Sequence, residues 1–321
     1  MTLRAQALMV RSGLFSLTRT LSAHLARILM YHNFRNTGES DMSALDAATV
    51  RQQFQYLKQH FKVVPLLEIA QCLGDGKKLD RNLIALTVDD GRQNFYRVLF
   101  PLLKEFGFCA TFFVVSSFIS GEDWIWTDKV LWLSEQSAAP VELSPKNLPR
   151  IFSELNRMPP AVRNERIATL AAGMRITVPT RPPEKYAPCS WAQLREMADT
   201  GLVEVGSHTV THPILSSISD EESWRELQES RRQMQEALGR EVVSFCFPNG
   251  KRGDYRPSQV QQVAEAGYLC SVVAEFGLVS HRSDRYRLER VGVDGDSEQL
   301  FRKRVDGAGY YQGKILSLLG D

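Results

Sequence analysis

A continuous apolar run from Leu83 to Val88, broken only by Thr87, constrains the fold of this chain more than any other feature. A strand with one wet face alternates apolar and polar residues, whereas a strand covered on both faces does not alternate. Similar runs recur at residues 28–31, 109–115, 202–205, 242–247, 268–273 and 288–293. Helix-like segments separate several of these runs. This order predicts an α/β fold with a parallel sheet, either open or closed into a barrel.

The segments between the runs carry helix signals. Residues 95–106 are predicted to form a helix that Gly107 ends. Ser219 and Glu222 form a capping box, which predicts the start of a long helix that Gly239 ends. The repeated pattern is interrupted at about 116–189, where tryptophans, prolines and a polar helix-like stretch indicate an insertion that forms a lid or a wall for a substrate.

The chain is predicted to consist of an N-terminal helical segment, residues 1–27, and one α/β domain, residues 28–321, which contains the insertion. Arg4, Arg11, Arg19 and Arg27 break the apolar stretches of the N-terminal segment. No run reaches the roughly 18 apolar residues that a membrane-spanning helix needs. We expect this helix either to pack on the domain or to lie loosely on a membrane surface.

Composition excludes some classes of function. The 321 residues include 39 basic and 37 acidic side chains, a net charge of +2, so no nucleic-acid partner is indicated. Five cysteines without a CxxC pair favour buried thiols and a reducing compartment. Since no export signal is recognisable, we expect a cytoplasmic protein, with peripheral contact to a membrane left open.

Two motifs place polar side chains where predicted strands end. Asp89, Asp90 and Gly91 follow the first apolar run, and His208 and His212 follow another. Chemistry in parallel α/β folds gathers at the carboxyl ends of strands, so these side chains are expected to meet. Two neutral imidazoles suit zinc, cobalt or nickel, and a carboxylate is a usual further ligand. We therefore predict a divalent metal, Zn²⁺ before Co²⁺ or Ni²⁺.

The adjacent aspartates leave the backbone in different directions, which favours separate roles. Asp90 is predicted to bind the metal with His208 and His212. Asp89 then stays free as the catalytic base that takes a proton from water, and Gly91 lets the chain turn sharply beside the ion.

Three further residues are candidates for catalysis. Asn249 follows the run at 242–247, and its backbone N–H is predicted to face a developing oxyanion. His32 ends the run at 28–31 and is a candidate proton donor to a leaving group. Arg290 is a candidate for orienting Asp89 through a charge-assisted hydrogen bond. Taken alone, the turn at Asn249 is equally consistent with an ordinary strand-to-loop turn. A lone histidine such as His32 is more often a hydrogen-bonded structural residue, and a lone arginine such as Arg290 more often forms a surface or structural pair.

Two segments resemble the motifs of the polysaccharide deacetylases, the NodB-homology family of metal-dependent carbohydrate esterases. Residues 87–91, Thr-Val-Asp-Asp-Gly, are similar to the first family motif, Thr-Phe-Asp-Asp-Gly. Residues 208–213, His-Thr-Val-Thr-His-Pro, are similar to the second. The resemblance covers roughly residues 28–115 and 190–295. It implies a distorted (β/α) barrel of about seven strands, with Asp89 as base and Asp90, His208 and His212 as metal ligands.

The chain departs from the common family pattern in two places. Cys246-Phe247-Pro248-Asn249 stands where Arg-x-Pro-Tyr is usual, so the arginine of that motif is missing. Residues 245–250, Phe-Cys-Phe-Pro-Asn-Gly, are instead similar to Phe-Ala-Tyr-Pro-x-Gly, the form that this motif takes in a subgroup that includes biofilm-polysaccharide deacetylases. No Leu-x-His motif for the usual general acid is found near the C-terminus. In the subgroup, a histidine in a Met-Tyr-His context, similar to His32, can occupy the corresponding space.

The resemblance implies a hydrolase of carbon–nitrogen bonds that removes N-acetyl groups from an amino-sugar glycan or its precursor. Its expected partner is thus an N-acetylated carbohydrate. Two alternatives stay open from the residues alone. One is a metal hydrolase for another amide or an ester, which would use the same groups. The other is a non-catalytic sugar-binding relative, although such a protein needs no spare base.

Overall fold

Parallel strands form the centre of the computed structural model, which describes residues 14–39, 41, 44–293, 295 and 297–319, with side chains described to Ile315. The strands, in chain order, are β1 Arg27–Tyr31, β2 Phe34–Arg35, β3 Leu45–Asp46, β4 Lys62–Val63, β5 Leu83–Val88, β6 Ala110–Val114, β7 Val203–Ser207, β8 Ser244–Cys246, β9 Cys270–Phe276 and β10 Leu288–Gly292.

Seven of these strands close into a barrel. The order is β1-β10-β9-β8-β7-β6-β5, and β1 pairs with β5 to complete the ring. All of these neighbours are parallel. Strand β5 is buried at every position, which explains why its sequence does not alternate. The predicted seven-stranded (β/α) barrel is confirmed. In addition, β4 pairs with the start of β5, and β2 pairs with β3.

Helices surround the barrel and follow most of its strands. The α-helices are Leu14–Leu21, Ala47–His60, Leu66–Gly74, Phe100–Phe106, Ser116–Ile119, Trp126–Ser134, Leu148–Asn156, Pro160–Gly173, Trp191–Asp199, Asp220–Leu238, Pro257–Glu265, Glu298–Val305 and Ala308–Leu319. The capping box of Ser219 and Glu222 is formed, and Gly239 ends that helix with a φ of 67°.

The helix predicted at 95–106 opens with a π-helical turn, Phe95–Leu99, before the α-helix Phe100–Phe106. Pro101 has no N–H and cannot complete the regular ladder. The N–H of Phe100 donates instead to the carbonyl of Phe95, five residues back. The helix ends at Gly107, as predicted, in the left-handed conformation.

The segment between β6 and β7 is mostly helical and has its own apolar core. Its buried members are Trp126, Val130, Leu133, Leu143, Ile151, Leu155, Ile167, Leu170, Ala171 and Met174. The segment is tied to the chain after β7, because the N–H groups of Ser116 and Ser117 donate to the carbonyls of Thr209 and Val210. It is therefore positioned at the carboxyl end of the barrel strands.

The described part of the N-terminal segment packs on the domain. Helix Leu14–Leu21 contacts the two C-terminal helices, Phe15 is buried, and Arg19 forms a 3.1 Å ion pair with Asp306. The remainder of the predicted N-terminal helix, residues 1–13, lies outside the described residues. Among the described helices, none is both long and apolar enough to cross a bilayer.

Candidate active site

The carboxyl ends of the strands surround a cleft of about 990 Å³. Six of the seven residues that the sequence singled out line this cleft: His32, Asp89, Asp90, His208, His212 and Asn249. They follow four different strands, β1, β5, β7 and β8. The barrel topology thus brings together side chains that are more than 200 residues apart in the sequence.

Arg290, the seventh residue, lies in β10 beneath the cleft and is 1% exposed. Its Nη1 and Nη2 donate to Asp89 Oδ1 at 2.8 Å and Oδ2 at 2.7 Å, a two-pronged ion pair. Its Nε donates to the Val273 carbonyl at 2.9 Å, which fixes the guanidinium plane. Burial alone raises the pKa of Asp89, but the charge and hydrogen bonds of Arg290 outweigh burial and hold that pKa well below its usual range. Asp89 is therefore ionised and fixed in orientation.

His32 lies on the solvent side of Asp89. Its Nε2 is 3.8 Å from Asp89 Oδ2, and 38% of its side chain is exposed. A ligand in the cleft can reach this imidazole, whereas it cannot reach Arg290. Arg290 is thus suited to holding the carboxylate of Asp89, and His32 is suited to exchanging a proton with a ligand in the cleft.

A second group of donors lies next to Asp89. Asp90 Oδ1 is 3.9 Å from His208 Nε2 and 3.8 Å from His212 Nε2. These distances are too long for hydrogen bonds. Bonds of about 2.1 Å in a tetrahedron would separate the donor atoms by roughly 3.4 Å, so the spacing is close to what one small cation needs. The described residues therefore include a group that can hold a divalent metal.

Both rings in this group are neutral. Burial lowers the pKa of His208. Burial is also the main reason why the pKa of His212 falls to about 3, and the repulsion between the two rings, if both were protonated, lowers it further. His208 Nδ1 lies 2.7 Å from the carbonyl of Cys246. A carbonyl only accepts, so Nδ1 carries the proton and Nε2 presents its lone pair to Asp90 and the centre of the group.

A second candidate ligand group, Asp89, His208 and Cys246, shares His208 with the first. Burial raises the pKa of the Cys246 thiol well above its usual value, which leaves it protonated. Asp89 is already engaged with Arg290. The group of Asp90, His208 and His212 is therefore the better metal site.

Backbone strain concentrates at this site. Six described residues other than glycine have a positive φ, and four of them are Asp90 at 81°, Thr209 at 71°, His212 at 55° and Asn249 at 58°. Such conformations persist where the surroundings enforce them, and they cluster at functional sites. Part of the enforcement comes from Glu226, which accepts from the N–H groups of Val210 at 2.7 Å and Thr211 at 3.0 Å.

Gly91 is required by the same turn. Its φ is 92°, and a Cβ there would lie 2.9 Å from Ile119 Cδ1 and 3.1 Å from Val114 Cβ. We expect Gly91→Ala to lower the free energy of unfolding by about 1–3 kcal/mol, because an alanine is strained in this conformation. Chemical denaturation measures the change. Gly173→Ala is the control, since Gly173 ends a helix without a positive φ and its added Cβ meets nothing within 4 Å. An equal loss in both variants would contradict the strain argument.

Sequence reasoning missed a buried pair behind the metal group. Arg92 Nη2 contacts both Asp90 Oδ2, at 3.4 Å, and the carboxylate of Asp128, which is fully buried. Asp128 belongs to the inserted segment, as does Trp126, which lines the cleft. The position of Arg92 directly after Asp-Asp-Gly was a usable signal for its role. Asp128 offered none, because its partner is 36 residues away.

With this geometry, comparison with known proteins becomes informative. The family model described as polysaccharide deacetylase matches residues 76–270, more than half of the chain. The chain belongs to the polysaccharide deacetylase family. It is 28% identical over 93 residues to the poly-beta-1,6-N-acetyl-D-glucosamine N-deacetylase of Escherichia coli K12, a match that covers 28% of this chain and 14% of that protein. YxkH of Bacillus subtilis (strain 168) is 20% identical over 266 residues, or 83% of this chain and 70% of YxkH.

Solved structures of this polysaccharide deacetylase fold are also similar. IcaB from Ammonifex degensii superimposes with a TM-score of 0.61 at 20% identity, covering 88% of this chain and 97% of IcaB. The Streptococcus pyogenes deacetylase PplD, solved with acetate, gives 0.60 at 18% identity, covering 86% and 95%. At these identities the likeness shows a shared barrel fold.

Proposed function

We propose that this polysaccharide deacetylase family member is a metal-dependent hydrolase that removes N-acetyl groups from an amino-sugar glycan or glycan precursor. One observation carries the proposal. An ionised carboxylate, Asp89, is held by Arg290 beside a separate set of metal donors, Asp90, His208 and His212, on the floor of one cleft. A protein that only bound sugar would have no use for the fixed carboxylate.

We propose Zn²⁺ as the resident ion, because two neutral imidazoles and one carboxylate are ligands typical of catalytic zinc. A divalent cation held by these residues supplies Lewis acidity, which polarises a carbonyl and acidifies water. Arg290 holds the pKa of Asp89 low, so Asp89 on its own is a weak base. We therefore expect turnover to depend strictly on the cation.

The residues around the donors have separate roles in this proposal. Asp89 accepts the proton of the attacking water, and Arg290 keeps its carboxylate aimed at that water. His32, next to Asp89 and open to the cleft, donates a proton to the departing amine. The N–H of Asn249 donates to the oxyanion that forms from the acetamido carbonyl. The side chain of Asn249 is held by Asp254 at 2.5 Å, which fixes the backbone at that position.

Acetate release from N-acetylated oligosaccharides tests this function. We expect purified protein loaded with Zn²⁺ to release acetate from chitooligosaccharides, to lose that activity with a chelator and to regain it when Zn²⁺ is restored. Metal content, measured by elemental analysis, provides a readout apart from activity. Release from O-acetyl esters alone would favour a different hydrolase. Metal binding without turnover of any acylated sugar would favour a sugar-binding relative and would contradict the proposal.

A further inference from the structure

Three cationic side chains line the same cleft as the metal donors: Arg157, Lys251 and Arg252. We call these three residues the cationic rim. Arg157 directly follows the helix Leu148–Asn156 of the inserted segment, and the other two lie in the loop after β8. All three are exposed. Two separate parts of the fold therefore direct positive charge to the same opening.

The protein neutralises the cationic rim only in part, through Asp254 near Lys251. Within the described part of the chain, none of the three rim side chains makes a hydrogen bond or an ion pair, although the charge of Lys251 acts on Asp254 at longer range. Among the other described residues, some surface cations are paired, as Arg256 is with Asp220 at 2.6 Å, and others, such as Arg150, are not. What sets the three rim residues apart is that they line one cleft. Unpaired cations at the entrance of a cleft create a positive potential that attracts anions.

The acidic residues of the cleft are already engaged. Asp89 is paired with Arg290, and Asp90 faces the two histidines and Arg92. Asp254 accepts from Asn249 Nδ2 and from the N–H of Lys251 at 2.8 Å. Asp254 offsets part of the charge of Lys251, but none of the three acids forms an ion pair with the cationic rim, so positive charge remains available to a ligand.

The loop that carries Lys251 and Arg252 is held in place. The carbonyl of Gly250 accepts from the N–H of Ala274 at 2.8 Å, and Gly250 has a φ of 58°. A Cβ at Gly250 would lie 2.9 Å from Ala274 N, so the loop lies directly on β9. A fixed backbone lowers the entropic cost of aligning the two cations with a ligand.

We infer that the substrate is an anionic N-acetylated glycan, whose carboxylate or phosphate group binds the cationic rim while an acetamido group reaches the metal donors. This inference rests on the proposed function and names its substrate class. A neutral chain of N-acetylhexosamines would leave three cations without partners. Guanidinium groups form two-pronged hydrogen bonds with carboxylates and phosphates alike, so the shared chemistry is the anion.

Three matched substrates of equal length test the inference with the metal-loaded enzyme. One is a neutral N-acetylglucosamine oligosaccharide, one alternates N-acetylglucosamine with glucuronate, and one carries a terminal phosphate. We expect kcat/KM for at least one anionic substrate to exceed that of the neutral one by about tenfold or more at low salt. The preference should shrink as salt screens the rim. Whichever of the two anionic substrates has the higher kcat/KM shows whether the cationic rim prefers a uronate or a phosphate.

Variants of the rim link the preference to these residues. In Lys251→Gln/Arg252→Gln, we expect the ratio of kcat/KM for the anionic over the neutral substrate to fall about tenfold. Arg150→Gln is the matched control, because Arg150 is an exposed arginine on the helix that precedes Arg157 and does not line the cleft. In Arg150→Gln, the ratio of kcat/KM for the anionic over the neutral substrate should equal that of the unmodified protein.

The outcomes separate this inference from the proposed function. Equal use of neutral and anionic substrates, with no effect of the rim variants, overturns the inference and leaves the deacetylase proposal standing. Absence of acetate release from all three substrates overturns the deacetylase proposal. In that case, calorimetric binding of the anionic oligosaccharide, weakened in the double variant and not in Arg150→Gln, would still support the rim as an anion site. Absence of such binding would overturn it.

Discussion

Replacing Asp89 with asparagine is expected to lower kcat/KM for acetate release by about 10²–10⁴-fold, the usual contribution of a general base. The amide has nearly the same shape but accepts no proton at neutral pH. The metal donors Asp90, His208 and His212 are unchanged, so the zinc content of the purified variant should match that of the unmodified protein. Steady-state kinetics and elemental analysis on the same preparation measure both effects.

The control for this variant is Asp80→Asn, whose carboxyl group is 74% exposed and does not line the cleft. It should retain full activity. Turnover by Asp89→Asn at a rate near that of the control would show that Asp89 is not the base. Loss of zinc in Asp89→Asn would instead mean that Asp89 contributes to the metal site, contrary to the division of labour proposed for the two aspartates.

Replacing His212 with alanine should remove both activity and metal. Loss of a ligand is expected to weaken zinc binding by more than the 10- to 100-fold that is typical for residues behind the ligands. Zinc that binds only the folded state stabilises a protein, by about 2.7 kcal/mol at 100 times its Kd. Thermal unfolding should therefore shift upward with added zinc in the unmodified protein and not in His212→Ala.

The matched control is His281→Ala, since His281 is an exposed imidazole away from the cleft. Its zinc-dependent shift in melting temperature should equal that of the unmodified protein. Comparing His212→Ala with His281→Ala shows whether zinc binding depends on His212 specifically or falls when any surface histidine that binds zinc weakly is removed. A zinc-dependent shift that survives in His212→Ala would exclude His212 from the metal site.

Strand ends made much of the site predictable. Buried parallel strands read as continuous apolar runs, and the polar residues after them, such as Asp89 and His208, must gather at one end of a barrel. Arg290 was harder to predict, because its pairing with Asp89 spans 201 residues and depends on β10 lying beside β1 in the closed ring. That neighbourhood is a property of the closed barrel and not of any local pattern.

Other features were out of reach for a reading of local patterns. A positive φ is uncommon for residues other than glycine, so its occurrence at Asp90 and His212 could not be predicted from their residue types alone. The sequence pattern indicated an insertion between strands. It did not indicate that a helix of this insertion contacts Arg92, which in turn contacts the candidate metal ligand Asp90. Asp128 has no sequence pattern that separates it from a solvent-exposed helical aspartate, yet it is fully buried against Arg92.

The contact between Asp128 and Arg92 has a consequence for protein engineering. The inserted segment both walls the cleft and contributes the carboxylate that holds Arg92 against Asp90. Grafting a segment that lacks an equivalent of Asp128 would leave a buried guanidinium without its counter-ion next to Asp90, a proposed metal ligand. A chimaera must therefore transfer Arg92 and Asp128 as one unit, because the wall of the cleft and the candidate metal site share this ion pair.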